Sequence, residues 1–179
     1  MHTTLYRAQR ILLGLLLGTA GLYAGVLMMY SIGLAPVLDA LSAENFLKLW
    51  QLHDYYLHLR IRFLLIGIGV LYLLTLLCFA TAVRTKTFAF IALACVFSIA
   101  DLQINRTLQR PVNRSIRLAD VGAHSSASVY GMERQLFHAL HLRQFCSIGA
   151  FGLLCVAAML PHRRPSDSTP DMVAQPHSR

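Results

Sequence analysis

The sequence predicts an all-α fold, an integral membrane four-helix transmembrane bundle. Three observations predict it. Of the 179 residues, 56% are hydrophobic and 13% charged, whereas soluble domains carry roughly a quarter charged residues. Mean hydropathy is +0.54. The apolar residues are pooled into four blocks flanked by cations, not spread in amphipathic stripes.

The chain reads as one membrane domain, residues 11–160, behind a short flank, residues 1–10. The first block, about residues 11–35, stops at Pro36. With Arg7 and Arg10 in front it imitates a signal peptide, but about 25 apolar residues exceed the roughly 7–15 of a signal core, so it reads as a retained span. Gly14, Gly18, Gly21 and Gly25 share one face of this helix. Small residues let another backbone approach closely in lipid, so this face is the expected helix–helix contact, within the chain or with a partner.

The second span is expected over about 61–83 and the third over about 88–104. The tight Arg84-Thr85-Lys86 turn between them predicts antiparallel neighbours. The fourth, about 144–160, is short, and its helix is expected to begin earlier, near Met132. The tail, residues 161–179, is rich in Ser, Pro and Asp and reads as disordered.

Four spans put both termini on one side and the long connections, residues 39–60 and 105–143, on the other. Arg7 and Arg10 favour cytoplasmic termini, and the expected location is multi-pass in the cell membrane. The net charge of +8 comes from cations that flank the spans. They form no basic, aromatic-interleaved face, so the partner they imply is the lipid bilayer and not nucleic acid. Cys78, Cys95, Cys146 and Cys155 lie in apolar blocks without CxxC spacing and read as small buried hydrophobes.

The long-connection side collects the polar chemistry. Trp50, Gln51, His53, Asp54, His58 and Arg60 precede the second span. Asp101, Asn105, Asn113, His138, His141 and Arg143 surround the third and fourth. Asp54/His58 and His138/His141 have helical spacing, but no HExxH or EExxH pattern completes a site, so no metal or other cofactor is expected. Asp101 reads as a salt-bridge partner for Arg106 or Arg143, with proton handling as the sharper alternative.

A short phrase occurs twice, Asn105-Arg106-Thr107 and Asn113-Arg114-Ser115, on either side of Pro111. Proline lacks an N–H, so it should bend or end the helix and free carbonyls that these side chains could satisfy. Ligand binding is the other reading of the phrase. No GxSxG, phosphate-binding loop or dinucleotide-binding glycine motif is present.

Taken in order, Gly21-Leu22-Tyr23-Ala24-Gly25, Pro36, Trp50-Gln51, Arg110-Pro111-Val112-Asn113-Arg114 and Leu140-His141-Leu142-Arg143 resemble the anthrone oxygenase-like family of small four-span membrane proteins. Phe137 stands where members often carry a tryptophan. The resemblance implies oxidation of an anthrone-like aromatic to a quinone by O₂ without a cofactor. His141 would be the base, with Asn113, Asn105 or Arg143 stabilising the oxyanion. Tyr23, Tyr30, Trp50 and Gln51 would line the substrate slot. A non-catalytic protein that binds a small lipophile or a partner helix is the alternative, and the sequence leaves enzyme status open.

Overall fold

The computed structural model describes residues 2–80, 83, 85–120 and 125–160, without the side chains of His2, Thr3, His58 and Leu59. Arg84, His124 and the tail lie outside the described residues, as does the expected Asp54/His58 pairing. Among the described residues the fold is all-α. α1 (His2–Met29) passes through a π-helical turn, Tyr30–Leu34, into α2 (Ala35–Asp39). α3 spans Ala43–Cys78 and α4 Lys86–Ile104. A second π-helical turn, Asn105–Gln109, leads into α5 (Arg110–Leu118), and α6 covers Ser126–Met159. Four helical stretches are long and apolar enough to cross a membrane: 4–39, 60–78, 86–118 and 126–159.

Each long helix that follows a break starts on a hydroxyl cap. Ser42, Thr85 and Ser125 accept from the backbone N–H groups of Asn45, Phe88 and Ser128. These bonds satisfy donors that the first helical turn cannot pair internally.

The two prolines do not break their helices as expected. Each stands two residues beyond a π-turn, which closes with a bond from Ala35 N to the Tyr30 carbonyl and from Arg110 N to the Asn105 carbonyl. One extra residue per turn widens the backbone where a proline ring would otherwise meet the preceding turn. The first span therefore runs through Pro36 to Asp39, and the third continues past Ile104 to Leu118. Among the described residues no Arg or Asn side chain donates to a freed carbonyl there, so the expected use of the repeated phrase is corrected.

Among the described residues the long connections, 39–60 and 105–143, are mostly helix. α6, with 34 residues, is about 51 Å long against a hydrocarbon core of about 30 Å. α4, with 19 residues, is about 28 Å long. Counted from Lys86, a core of that thickness would be crossed near Ile104, which would leave α5 and the first halves of α3 and α6 beyond it.

Packing is inside-out relative to a soluble bundle. Phe63, Leu73, Leu77, Phe145 and Met159 are exposed, while Thr75, Asp101, Glu133, Arg143 and Ser147 are buried. α6 is the central helix, packed chiefly on α4 and α1, and α1 also packs on α3. α3 and α4 meet only briefly despite the short turn between them, with Ser98 Oγ donating to Tyr72 Oη at 3.0 Å.

Within the chain, one position of the glycine face is closely packed. A Cβ on Gly21 would lie 2.9 Å from Phe151, but Gly14, Gly18 and Gly25 have nothing within 4 Å. The tighter approach is on α6, where a Gly149 Cβ would lie 2.8 Å from Phe97. Gly149→Ala should therefore lower stability by about 1–3 kcal/mol through overpacking. Gly18→Ala should be neutral or slightly stabilising, since alanine favours helix. Thermal unfolding of both variants in detergent checks this contrast.

Candidate functional site

Near the end of α4, side chains from α1, α4 and the adjoining π-turn converge on Arg143 of α6, which is 4% exposed. Its Nε donates to Asp101 Oδ1 at 2.9 Å, and the other Asp101 oxygen accepts from Tyr23 Oη–H at 2.7 Å. The guanidinium also donates to Tyr23 Oη and Gln109 Oε1, and to Asn105 Oδ1 at 3.4 Å. Asp101, Asn105 and Gln109 are successive i, i+4 positions on the third span, and the π-turn places the last two beneath the guanidinium. The charge is paired and nearly all its donors are engaged, which is how a buried ion becomes tolerable. Arg106 is exposed, so of the two expected partners Asp101 takes Arg143.

A second network ties α3 to α5. Trp50 Nε1–H donates to Asn113 Oδ1 at 3.3 Å, and Asn113 Nδ2 donates to Asp54 Oδ1 at 3.2 Å. Arg117 pairs with the other Asp54 oxygen. Gln51 Nε2 donates to the Ile116 and Ala119 carbonyls at 2.9 and 3.0 Å, satisfying orphan acceptors at the end of α5.

Between the networks sits an aromatic cluster. His53 stacks on Trp50 with centroids 4.9 Å apart and meets Tyr30 edge-on at 5.2 Å. His53 Nε2 lies 2.5 Å from Tyr30 Oη. The fields of Arg143 and Asp54 both reach Tyr30. His53 Nδ1 is buried and has no hydrogen-bond partner among the described residues. Burial holds the His53 pKa below the usual histidine value, against the opposing field of Asp54.

That shift has a sign. A folded-state pKa below about 6.5 means that the unfolded chain binds the extra proton, so stability rises with pH through this window and is lost as pH falls from about 6.5 toward the folded value. Unfolding midpoints from pH 7.5 to 5 should fall on the acid side in the wild type, and His53→Gln should flatten that fall.

The structure brings together most of the residues singled out from sequence, but not as one site. Tyr23, Asn105 and Arg143 form the lower network, whereas Trp50, Gln51 and Asn113 belong to the upper one. His141 joins neither. It is exposed, two residues from Arg143, and residues two apart on a helix point to opposite sides. The expected grouping of His141 with Arg143 is thereby corrected. His138 is exposed as well. Among the described residues no group of three His, Cys, Asp or Glu is placed to hold a metal.

No family model, curated protein or solved structure matches this chain.

Sequence reasoning passed over two residues that matter here. His53 was one polar residue among several, and Gln109 was not singled out. Both had a signal: Trp50 and His53 are i, i+3, and Gln109 completes the 101/105/109 ladder.

Proposed function

We propose that the chain is a membrane protein that removes a proton from a small, planar, lipophilic aromatic at His53. This is the first step of the cofactor-independent oxidation by O₂ that the family resemblance implies. The observation that carries the reading is the buried, unpartnered Nδ1 of a neutral imidazole flanked by Trp50 and Tyr30. An unmade buried hydrogen bond costs about 1–3 kcal/mol, a cost that a bound substrate would relieve. In the tautomer that donates Nε2–H to Tyr30 Oη, the Nδ1 lone pair is available as a base.

The balanced reaction is anthrone plus O₂ to anthraquinone plus water. His53 takes the acidic ring C–H proton, leaving a carbanion. The carbanion reduces O₂ and forms a C–O bond, the peroxide recovers the proton, and loss of water leaves the second carbonyl. In this reading Arg143 organises the wall behind Tyr23 and does not touch substrate, because Asp101, Tyr23, Gln109 and Asn105 already occupy its donors.

Purified protein in detergent should accelerate oxidation of at least one anthrone over buffer, with O₂ consumed and quinone formed one for one. Absence of acceleration across several anthrones would reject the oxygenase reading. The non-catalytic alternative is favoured by one observation, that nearly all the donors of Arg143 are engaged. It predicts that anthrones bind, or stabilise the fold, without being consumed.

A further inference from the structure

Outside both networks, the second π-turn and α5 part from α6 to leave a groove of about 390 Å³, within the roughly 300–1,000 Å³ of small-molecule sites. Leu108, Pro111 and Val112 form one wall, and Arg134, Gln135 and His138 face them from α6. The first wall is hydrocarbon apart from Thr107, and the other carries charge. Measured along the helices, both walls stand at the same depth. From Met159 back to His138 the rise is about 32 Å, and from Lys86 to Leu108 about 33 Å. With a hydrocarbon core of about 30 Å, the groove lies at headgroup level.

The charges there are only partly offset within the chain: the field of Arg134 reaches the buried Glu133, which also feels Asp39. Arg134 is exposed and makes no hydrogen bond or ion pair among the described residues, while its neighbour Glu133 is buried. Arg110 and Arg114 are exposed on α5. Asp54 is engaged by Arg117 and Asp101 by Arg143. A cationic side chain facing an apolar wall at headgroup depth is complementary to an anionic amphiphile.

We propose that this groove seats one anionic phospholipid, with its phosphate on Arg134 beside His138 and the start of an acyl chain on Leu108 and Val112. The assignment is independent of the His53 chemistry, since it uses other residues on another face.

The test titrates full-length protein in detergent with fluorescent phosphatidylglycerol. Competitors are unlabelled phosphatidylglycerol, phosphatidylcholine and soluble glycerol phosphate. Phosphatidylglycerol should displace the probe best, phosphatidylcholine more weakly, and glycerol phosphate not at all. Arg134→Gln should weaken phosphatidylglycerol binding about fivefold, the equivalent of about 1 kcal/mol for one headgroup-level cation, and leave phosphatidylcholine unchanged. Arg114→Gln, off the groove wall, should change either lipid less than twofold. Equal competition by the two lipids, or an unaltered Arg134→Gln, would overturn the site. So would an equal loss in Arg114→Gln, which marks a diffuse basic surface, or full competition by glycerol phosphate, which marks a phosphate site without a lipid.

Discussion

Arg143→Met should destabilise the protein by about 3–5 kcal/mol, the cost of leaving a buried charge without its partner. Asp101 is 2% exposed and would keep Tyr23 as its recorded donor. Gln109 would lose its guanidinium donor as well. Arg143→Lys keeps the charge but not the fork that reaches Asp101, Gln109 and Tyr23 together, so it should recover only part of the loss. The double variant Arg143→Met/Asp101→Asn should be closer to wild type than Arg143→Met alone, because both buried charges are gone. Thermal unfolding in matched detergent, with gel filtration as a check on assembly, gives the cycle. Equal stability of the single and double variants would show that the pair is not the unit that holds the helices.

The second large effect is on turnover. His53→Gln should lower the rate of anthrone oxidation by about 10²–10⁴-fold, the usual contribution of a positioned base. Its fold should persist, since glutamine can still hydrogen-bond Tyr30 and occupy the space beside Trp50. The wild-type rate should fall as pH drops through the lowered pKa of His53, placing the acid limb below the ordinary histidine value. Tyr30→Phe removes the 2.5 Å contact at Nε2 and should lower the rate less, because it orients the base and does not replace it.

What could be read from the sequence follows from which forces are local. The spans were legible because membrane crossing demands uninterrupted apolar blocks, and α4 closely matches its expected range. Helix ends were less legible. Beyond Ile104 and before Phe145 the residues are polar enough to look like loops, yet tertiary packing of Val112, Ile116, Val129 and Leu136 carries helix through them. The π-turns were invisible, because a proline announces a disturbance without saying whether the backbone bends, stops or widens.

The site shows the same division. That Arg143 is costly and needs Asp101 could be read from charge alone, but which of two arginines wins depends on helix rotation. Arg143 shares the buried face of α6 with Leu136, Leu140 and Ser147, whereas Arg106 points outward. His141 was attractive by its place in the motif, and a two-residue offset from the buried Arg143 turns it outward. The repeated Asn-Arg phrase proved to be two separate supports: Asn105 accepts from Arg143, and Asn113 joins Trp50 to Asp54. Both arginines of the phrase are exposed.

The most direct test of the account compares wild type, His53→Gln and His141→Gln as matched detergent preparations, following quinone formation from one anthrone at pH 7.5. The account predicts acceleration over buffer in the wild type, loss of it in His53→Gln and full retention in His141→Gln. A His53→Gln variant that turns over at the wild-type rate, or a wild type no faster than buffer with any anthrone tried, would contradict it.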